Sequence, residues 1–211
     1  MKRFVVSSVV LVVLLAIALP TYATIIPPFT PSPGLPPTPV GSIPPGTLQV
    51  STGAVFFAFG TPADPNKNTG FVEEDVYSDA SGFLFFVFQI AVITGDIKTI
   101  SSGDWDNSII IDAQMTPAGG SLAPLGVDRN GIGTVGINFT PLVTPGVTSY
   151  AVILYTNSKV ILPGAIGLID TGSSPSIPGY VAGPVTTTPE PATLSLLGLG
   201  LLGLGAMLKK R

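Results

Sequence analysis

Apolar and polar positions divide this chain into a patterned middle and two unpatterned ends. From Leu48 to Val185, short runs of Val, Ile, Phe, Tyr and Thr are broken by Gly, Pro, Asn and Asp, and no helical period runs through them. The runs predict strands at Leu48–Phe59, Phe71–Tyr77, Phe83–Thr94, Ile97–Ser101, Ser108–Gln114, Gly131–Phe139, Thr148–Thr156, Lys159–Leu162 and Ile166–Asp170. Alternation is clearest at the last six of these residues in the sixth run: Val135, Ile137 and Phe139 face one way, Thr134, Gly136 and Asn138 the other. Phe83–Phe88 (FLFFVF) is continuously apolar, which predicts a central strand buried on both faces. Turn chemistry falls at Asp128–Gly131, Thr156–Ser158 and Pro163-Gly164. Many short strands at this spacing predict an all-β domain over residues 48–185, an antiparallel β-sandwich of the Ig-like or jelly-roll-like kind.

The ends follow other rules. At the N-terminus Lys2 and Arg3 precede a sixteen-residue apolar run, Phe4–Leu19, and then Pro20 and the small-residue site Thr21-Tyr22-Ala23. That is the layout of a secretory signal peptide over residues 1–23, cleaved after Ala23. At the C-terminus Ala192–Leu208 is seventeen residues without a charge, about 25 Å as a helix and at the short limit for a bilayer core. Lys209, Lys210 and Arg211 follow at once and would stop transfer, staying in the cytoplasm. The expected topology puts everything between the two ends outside the inner membrane. Residues 24–47 hold nine prolines from Ile25 onward and predict an extended polyproline II spacer rather than a PxxP ligand.

Composition narrows the function classes. There is no cysteine and no histidine, which excludes disulfides, thiolate catalysis and Cys/His zinc sites. Between residues 24 and 189 there are four cations against eleven acids, a net charge of −7. An acidic body repels nucleic acid, whose binding depends on phosphate neutralisation.

Pro189-Glu190-Pro191, the apolar run 192–208 and the basic end, together residues 186–211, closely resemble the PEP-CTERM sorting signal of Gram-negative envelope proteins. The resemblance implies processing by an exosortase, a membrane-embedded cysteine transpeptidase, near the Pro-Glu-Pro motif. Passage to the cell surface or extracellular matrix follows, in bacteria that make exopolysaccharide. The physics is compatible: Pro189 and Pro191 disfavour helix and keep this stretch extended outside the bilayer, where a protease cleft can grip it, and Glu190 offers one charge to read. Glu73–Asp75, Asp128-Arg129 (as a central turn) and Gly164–Asp170 also loosely resemble ectodomains found ahead of this tail.

Several motifs invite catalytic or binding readings. Gly198–Gly203 spells G-x-G-x-x-G but lacks the strand, helix and acid of a dinucleotide site. Asp170–Ser174 is similar to the D-T-G-S-S signature of aspartic proteases, whose chemistry needs two such aspartates, and the chain has one copy. Glu73, Glu74 and Asp75 suggest a glycosidase pair, although alternation sends Glu74 to the opposite face, and a solvated edge is the simpler account. Asp104, Asp106 and Asp112 are candidate calcium ligands, with Ile109 and Met115 where an EF-type loop needs Gly and Glu. Trp105 is a candidate glycan platform or a packed loop aromatic. Asn138-Phe139-Thr140 fits a glycosylation sequon.

These readings combine into an exported, non-enzymatic surface or matrix protein without a required cofactor. It is anchored transiently in the inner membrane, processed by exosortase, and structural or adhesive in a way linked to exopolysaccharide. A glycan- or calcium-binding module and a secreted hydrolase are the rival classes.

Overall fold

The computed structural model describes residues 24–61, 63–130, 133–170 and 175–185, so the leader expected over 1–23, the Pro-Glu-Pro motif and the helix expected over 192–208 lie outside the described residues. Every regular element described is a strand: β1 (Thr24–Ile26), β2 (Thr30–Leu35), β3 (Thr38–Pro39), β4 (Thr47–Ser51), β5 (Val55–Thr61), β6 (Asp64–Ser78), β7 (Leu84–Thr94), β8 (Ile97–Gly103), β9 (Ile111–Thr116), β10 (Gly126–Arg129), β11 (Val135–Val143), β12 (Ala151–Thr156), β13 (Ile161–Ile169) and β14 (Ser176–Ala182). Among the described residues no helix is long and apolar enough to cross a membrane.

The strands form two antiparallel sheets. Sheet A runs β1-β9-β12-β7-β6-β4, with β3 beside β9 and β5 beside β6; sheet B runs β14-β13-β8-β11-β10-β2. Among the named strands only the β3–β9 pair is parallel. Inward residues of both sheets join one apolar cluster: Val72, Val76, Phe86, Phe88, Val152 and Leu154 from sheet A, and Ile100, Ile137, Phe139, Ile166 and Leu168 from sheet B. The inward set Val135, Ile137 and Phe139 is the one alternation predicts, and all three are buried. The chain passes from β7 in sheet A to β8 in sheet B at Gly95, whose φ of +73° suits glycine. A Cβ there would stand 2.0 Å from Asn68 Oδ1, so the corner is closed to larger residues.

The proline-rich stretch is not a spacer. β1 forms the edge of sheet A against β9, β2 forms the edge of sheet B against β10, and β3 returns to β9. An edge strand needs ladder hydrogen bonds on one side only, so proline is tolerated there as it is not in a sheet interior. Residues 40–46 then cross the outer face of sheet A. Val40 and Ile43 pack on a second cluster of Phe85, Val87, Ala151 and Ile153, flanked by Tyr77 and Tyr155. Tyr77 and Tyr155 sit on either side of Phe85, with ring centroids 5.1 and 4.9 Å away. Within FLFFVF, Leu84–Phe88 are therefore buried on both faces, as composition predicts, while Phe83 stays exposed, and the outer cover is the strap. The folded body accordingly takes in residues 24–47 as well as those from 48 onward.

Other differences are local. The predicted Leu48–Phe59 run is two strands, β4 and β5, broken at Gly53, whose φ is +62°. Lys159–Leu162 and Ile166–Asp170 are one strand, β13, because Pro163 and Gly164 pair in register with Tyr180 and Gly179 instead of turning. β10 is four residues long with an Asp and an Arg, and β14 carries Pro and Gly at its middle, which hides both from an apolar count.

Gly46 touches the Phe85 ring so closely that a Cβ would lie 2.7 Å from it, whereas Gly41 in the same strap has open space. Gly46→Ala is expected to destabilise the body by about 1–3 kcal/mol through overpacking. Gly41→Ala should stay within about 0.5 kcal/mol of the parent. Urea unfolding followed by fluorescence of the single, buried Trp105 measures both.

Candidate functional site

A cleft lies where the two sheets part, at the β4–β5 connection and the β13–β14 pair. This cleft of about 550 Å³ is walled by Ser51, Thr52 and Val55 on one side and Pro163, Pro178 and Tyr180 on the other. Its lining is apolar with hydroxyls and one phenol, and no charged side chain contributes.

Glu74 lies directly behind this wall and is fully buried. Its backbone N–H donates to Thr52 Oγ1 at 3.0 Å, and its carbonyl accepts from the Thr52 amide at 2.9 Å. Across the gap, Oε2 accepts from the Tyr180 amide at 2.8 Å, a bond that joins sheet A to sheet B. A Cβ on Gly179 would come within 2.6 Å of Oε2, so the glycine makes room for the carboxyl group. Oε1 is buried with no hydrogen-bond partner. Burial pushes the Glu74 pKa up from 4.5 to about 8; the Tyr180 amide opposes that shift and the Asp75 charge adds to it. At neutral pH the group is mostly a neutral acid, which lowers the cost of its dry location.

Glu73 and Asp75 point to the outer face of sheet A, as alternation predicts, so the three acids do not converge on the cleft. The expectation of a solvated edge is corrected. β6 is an interior strand, paired with β7 on one side and with β4 and β5 on the other. The missed signal was parity: Glu74 shares its face with Val72 and Val76, both in the core.

The calcium candidates are dispersed. Asp104 is exposed with φ +70°, and Asp106 Oδ1 caps the next turn by accepting from the Ser108 amide at 2.8 Å and the Ser108 hydroxyl at 2.6 Å. Those bonds lower the Asp106 pKa. Asp112 lies on β9, half-buried. Among the described residues no three acids are grouped to hold a metal. Trp105 is no platform: it is buried, its ring meets Phe86 edge-on at 4.9 Å, and Nε1 donates to Ser102 Oγ at 2.8 Å. Asn138 is also buried, donating to Asp128 Oδ2 at 2.6 Å and to the Pro33 carbonyl at 3.1 Å, so its sequon is closed to modification.

Asp128-Arg129, expected in a turn, ends strand β10; the turn follows, closed by the Gly133 amide on the Asn130 carbonyl. Arg129 is fully buried and holds the Trp105 loop from within, donating from one terminal nitrogen to the Ile109 carbonyl and from the other to the Asp106 carbonyl. Burial lowers its pKa, and the Asp106 charge partly restores it. Asp170 accepts from Asn68 Nδ2 at 2.6 Å and lies 3.8 Å from Lys67 Nζ. That places it in a polar corner beside Gly95, while Thr171–Ser174 of its motif lie outside the described residues.

Two outcomes follow from the buried charges. With its folded pKa raised, Glu74 favours folding fully below about pH 4.5, and that contribution is lost as pH rises toward 8. Stability should fall by up to about 1.4 kcal/mol per pH unit across this window. Glu74→Gln should flatten the profile when urea midpoints are compared at pH 5, 7 and 9. Arg129→Met leaves two loop carbonyls without their donors and is expected to cost about 2–4 kcal/mol, with a red shift of Trp105 emission.

No curated protein matches the chain. Residues 187–211 match the family model described as the PEP-CTERM protein-sorting motif, which begins two residues after the last described residue, Val185. The motif is the recognition signal of exosortase and marks a precursor that is exported, anchored in the membrane and processed for the cell surface. By this C-terminal signal the chain is a PEP-CTERM protein.

Proposed function

We propose that this is a non-enzymatic structural or adhesive component of the cell surface or extracellular matrix, delivered there as a folded β-sandwich. Residues 1–23 direct export and are removed after Ala23. The 192–208 helix and the stop-transfer residues Lys209, Lys210 and Arg211 hold the precursor in the inner membrane. Exosortase then acts near Pro189, Glu190 and Pro191. The observation that carries this reading is the sorting motif, which begins two residues after the last described residue of the β-sheet body. The short interval between β14, ending at Ala182, and the motif at 187 favours a body presented close to the membrane surface before release.

The exopolysaccharide link is the finer part of the proposal. The cleft in front of Glu74 favours a neutral, hydroxyl-rich ligand over a charged one: it offers the Ser51 hydroxyl and the Tyr180 phenol, and apolar walls that suit a sugar face. A glycan-binding role through this cleft is the second reading. The dispersal of Asp104, Asp106 and Asp112 gives calcium binding no comparable support.

In a host that carries an exosortase, the wild-type chain is expected to lose Arg211 and leave the membrane fraction. Pro189→Ala with Pro191→Ala should leave a full-length tail in the membrane. Identical C-terminal masses for the two chains would overturn the processing step. Tyr180→Ala should weaken retention in polysaccharide affinity gels about tenfold, roughly the worth of one good contact; unchanged mobility would remove the cleft from the account.

A further inference from the structure

Across the outer face of sheet A, Tyr77, Phe85, Tyr155, Asp112 and Ile25 stand opposite one another on β6, β7, β12, β9 and β1. Asp112 therefore caps an aromatic row at the point where the chain's first described strand is attached. Its Oδ2 accepts from Gln114 Nε2 at 3.0 Å. Its Oδ1 is buried and has no hydrogen-bond partner, and no described lysine or arginine pairs with it. The Thr24 backbone N–H is directed at this carboxylate. Thr24 is itself held in place, paired with Ala113 and hydrogen-bonded through its hydroxyl to the Thr38 hydroxyl at 2.8 Å, while Ile26 anchors the strand in the core.

We infer that Asp112 is the receptor for the mature N-terminus: removal of the leader turns the neutral Thr24 N–H into an α-ammonium beside a half-buried carboxylate whose Oδ1 is buried without a partner. The inference rests on the cleavage site proposed above. Water adds across the Ala23–Thr24 peptide bond, its oxygen completing the Ala23 carboxylate and both its protons ending on the Thr24 nitrogen. One N–H becomes three donors and a unit positive charge, enough to serve the Thr24 end of the ladder and the orphaned Oδ1 together. Burial raises the Asp112 pKa in the present arrangement, with the Gln114 amide and the Thr24 N–H opposing; a cation at Thr24 would reverse that shift. The edge of the sheet thus becomes better tied down after leader cleavage than before it.

The other groups around Asp112 do not supply this charge. Tyr155, from β12, has its pKa pushed up to about 12, first by burial and then by the charges of Asp112 and Asp79, so it stays neutral over the working range. Gln114, Thr38 and the strap residues Val40 and Ile43 carry no titratable side chain. Above neutral pH the dependence therefore belongs to the α-ammonium, whose ordinary pKa is about 7.7–8.0, while in acid it belongs to Asp112 itself. Its folded value is raised by the carboxylate, so its stabilisation is complete below about pH 7.7 and is lost as pH rises through the folded value.

The test begins with the exported protein, whose N-terminal residue is read by mass spectrometry. A first residue other than Thr24 overturns the cleavage reading, and the pair with it. The pair is then examined on chains running to Arg211 in detergent micelles, made with Thr24 as the first residue or extended by Thr21-Tyr22-Ala23, each with and without Asp112→Asn. The expected result is a folding constant lowered about tenfold by Asp112→Asn in the Thr24-first chain and left nearly unchanged in the extended one. An equal loss in both overturns the inference and leaves Asp112 as a partner of Gln114 alone. Should Asp112→Asn fail to fold, pH-dependent carbamylation of the wild-type chain decides: titration of Thr24 above the ordinary α-amino range supports the pair, and titration within it refutes it.

Discussion

A strand that is apolar on both faces must be covered twice, and β7 imposes that requirement on this chain. Leu84, Phe86 and Phe88 meet the inner cluster, while Phe85 and Val87 face away from sheet B. Left to water, the outer pair would expose a patch in the middle of sheet A, a site for aggregation. The cover comes from the residues least able to form an interior strand. Prolines and glycines carry the strap flat across the sheet, and its few apolar side chains, Val40 and Ile43, meet the aromatic row. Before crossing, the same segment closes an edge of each sheet.

The buried charges are arranged around the seams this architecture leaves. Glu74 spans the two sheets where they part, and Arg129 fastens the loop by which the chain returns from β8 to β9. Neither has an ionic partner among the described residues, so each is held by backbone groups instead. That is an expensive way to bury a charge and an effective way to fix a loop or a seam, because backbone positions cannot swap partners as side chains can. Glu74 lessens the cost by keeping its proton; arginine has no such option, and its two carbonyl contacts matter correspondingly more.

The parts of this protein that are readable in one dimension were read there. The sorting motif is linear, and β7 announces its double burial by composition alone. Val135, Ile137 and Phe139 reveal their face by alternation. What escaped depends on pairing between distant residues. β1–β3 look like a spacer because proline content speaks against a strand interior and says nothing about an edge. Pro163 and Gly164 look like a turn because their partners, Tyr180 and Gly179, lie on a strand with little apolar signal. Glu74 was hidden differently: its parity with Val72 and Val76 pointed inward, but its charge and acidic neighbours pointed to solvent. Trp105 and Arg129 could be located only once the loop they share was folded.

The strap and β1 also set a timetable. β1 pairs with β9, more than eighty residues further on, and the strap rests on β7 and β12. On the export route proposed above, N-terminus first, the earliest segment to emerge has nothing to dock on until most of the polypeptide has followed. Closure on that route comes late, because β1 and the strap wait for partners far along the chain.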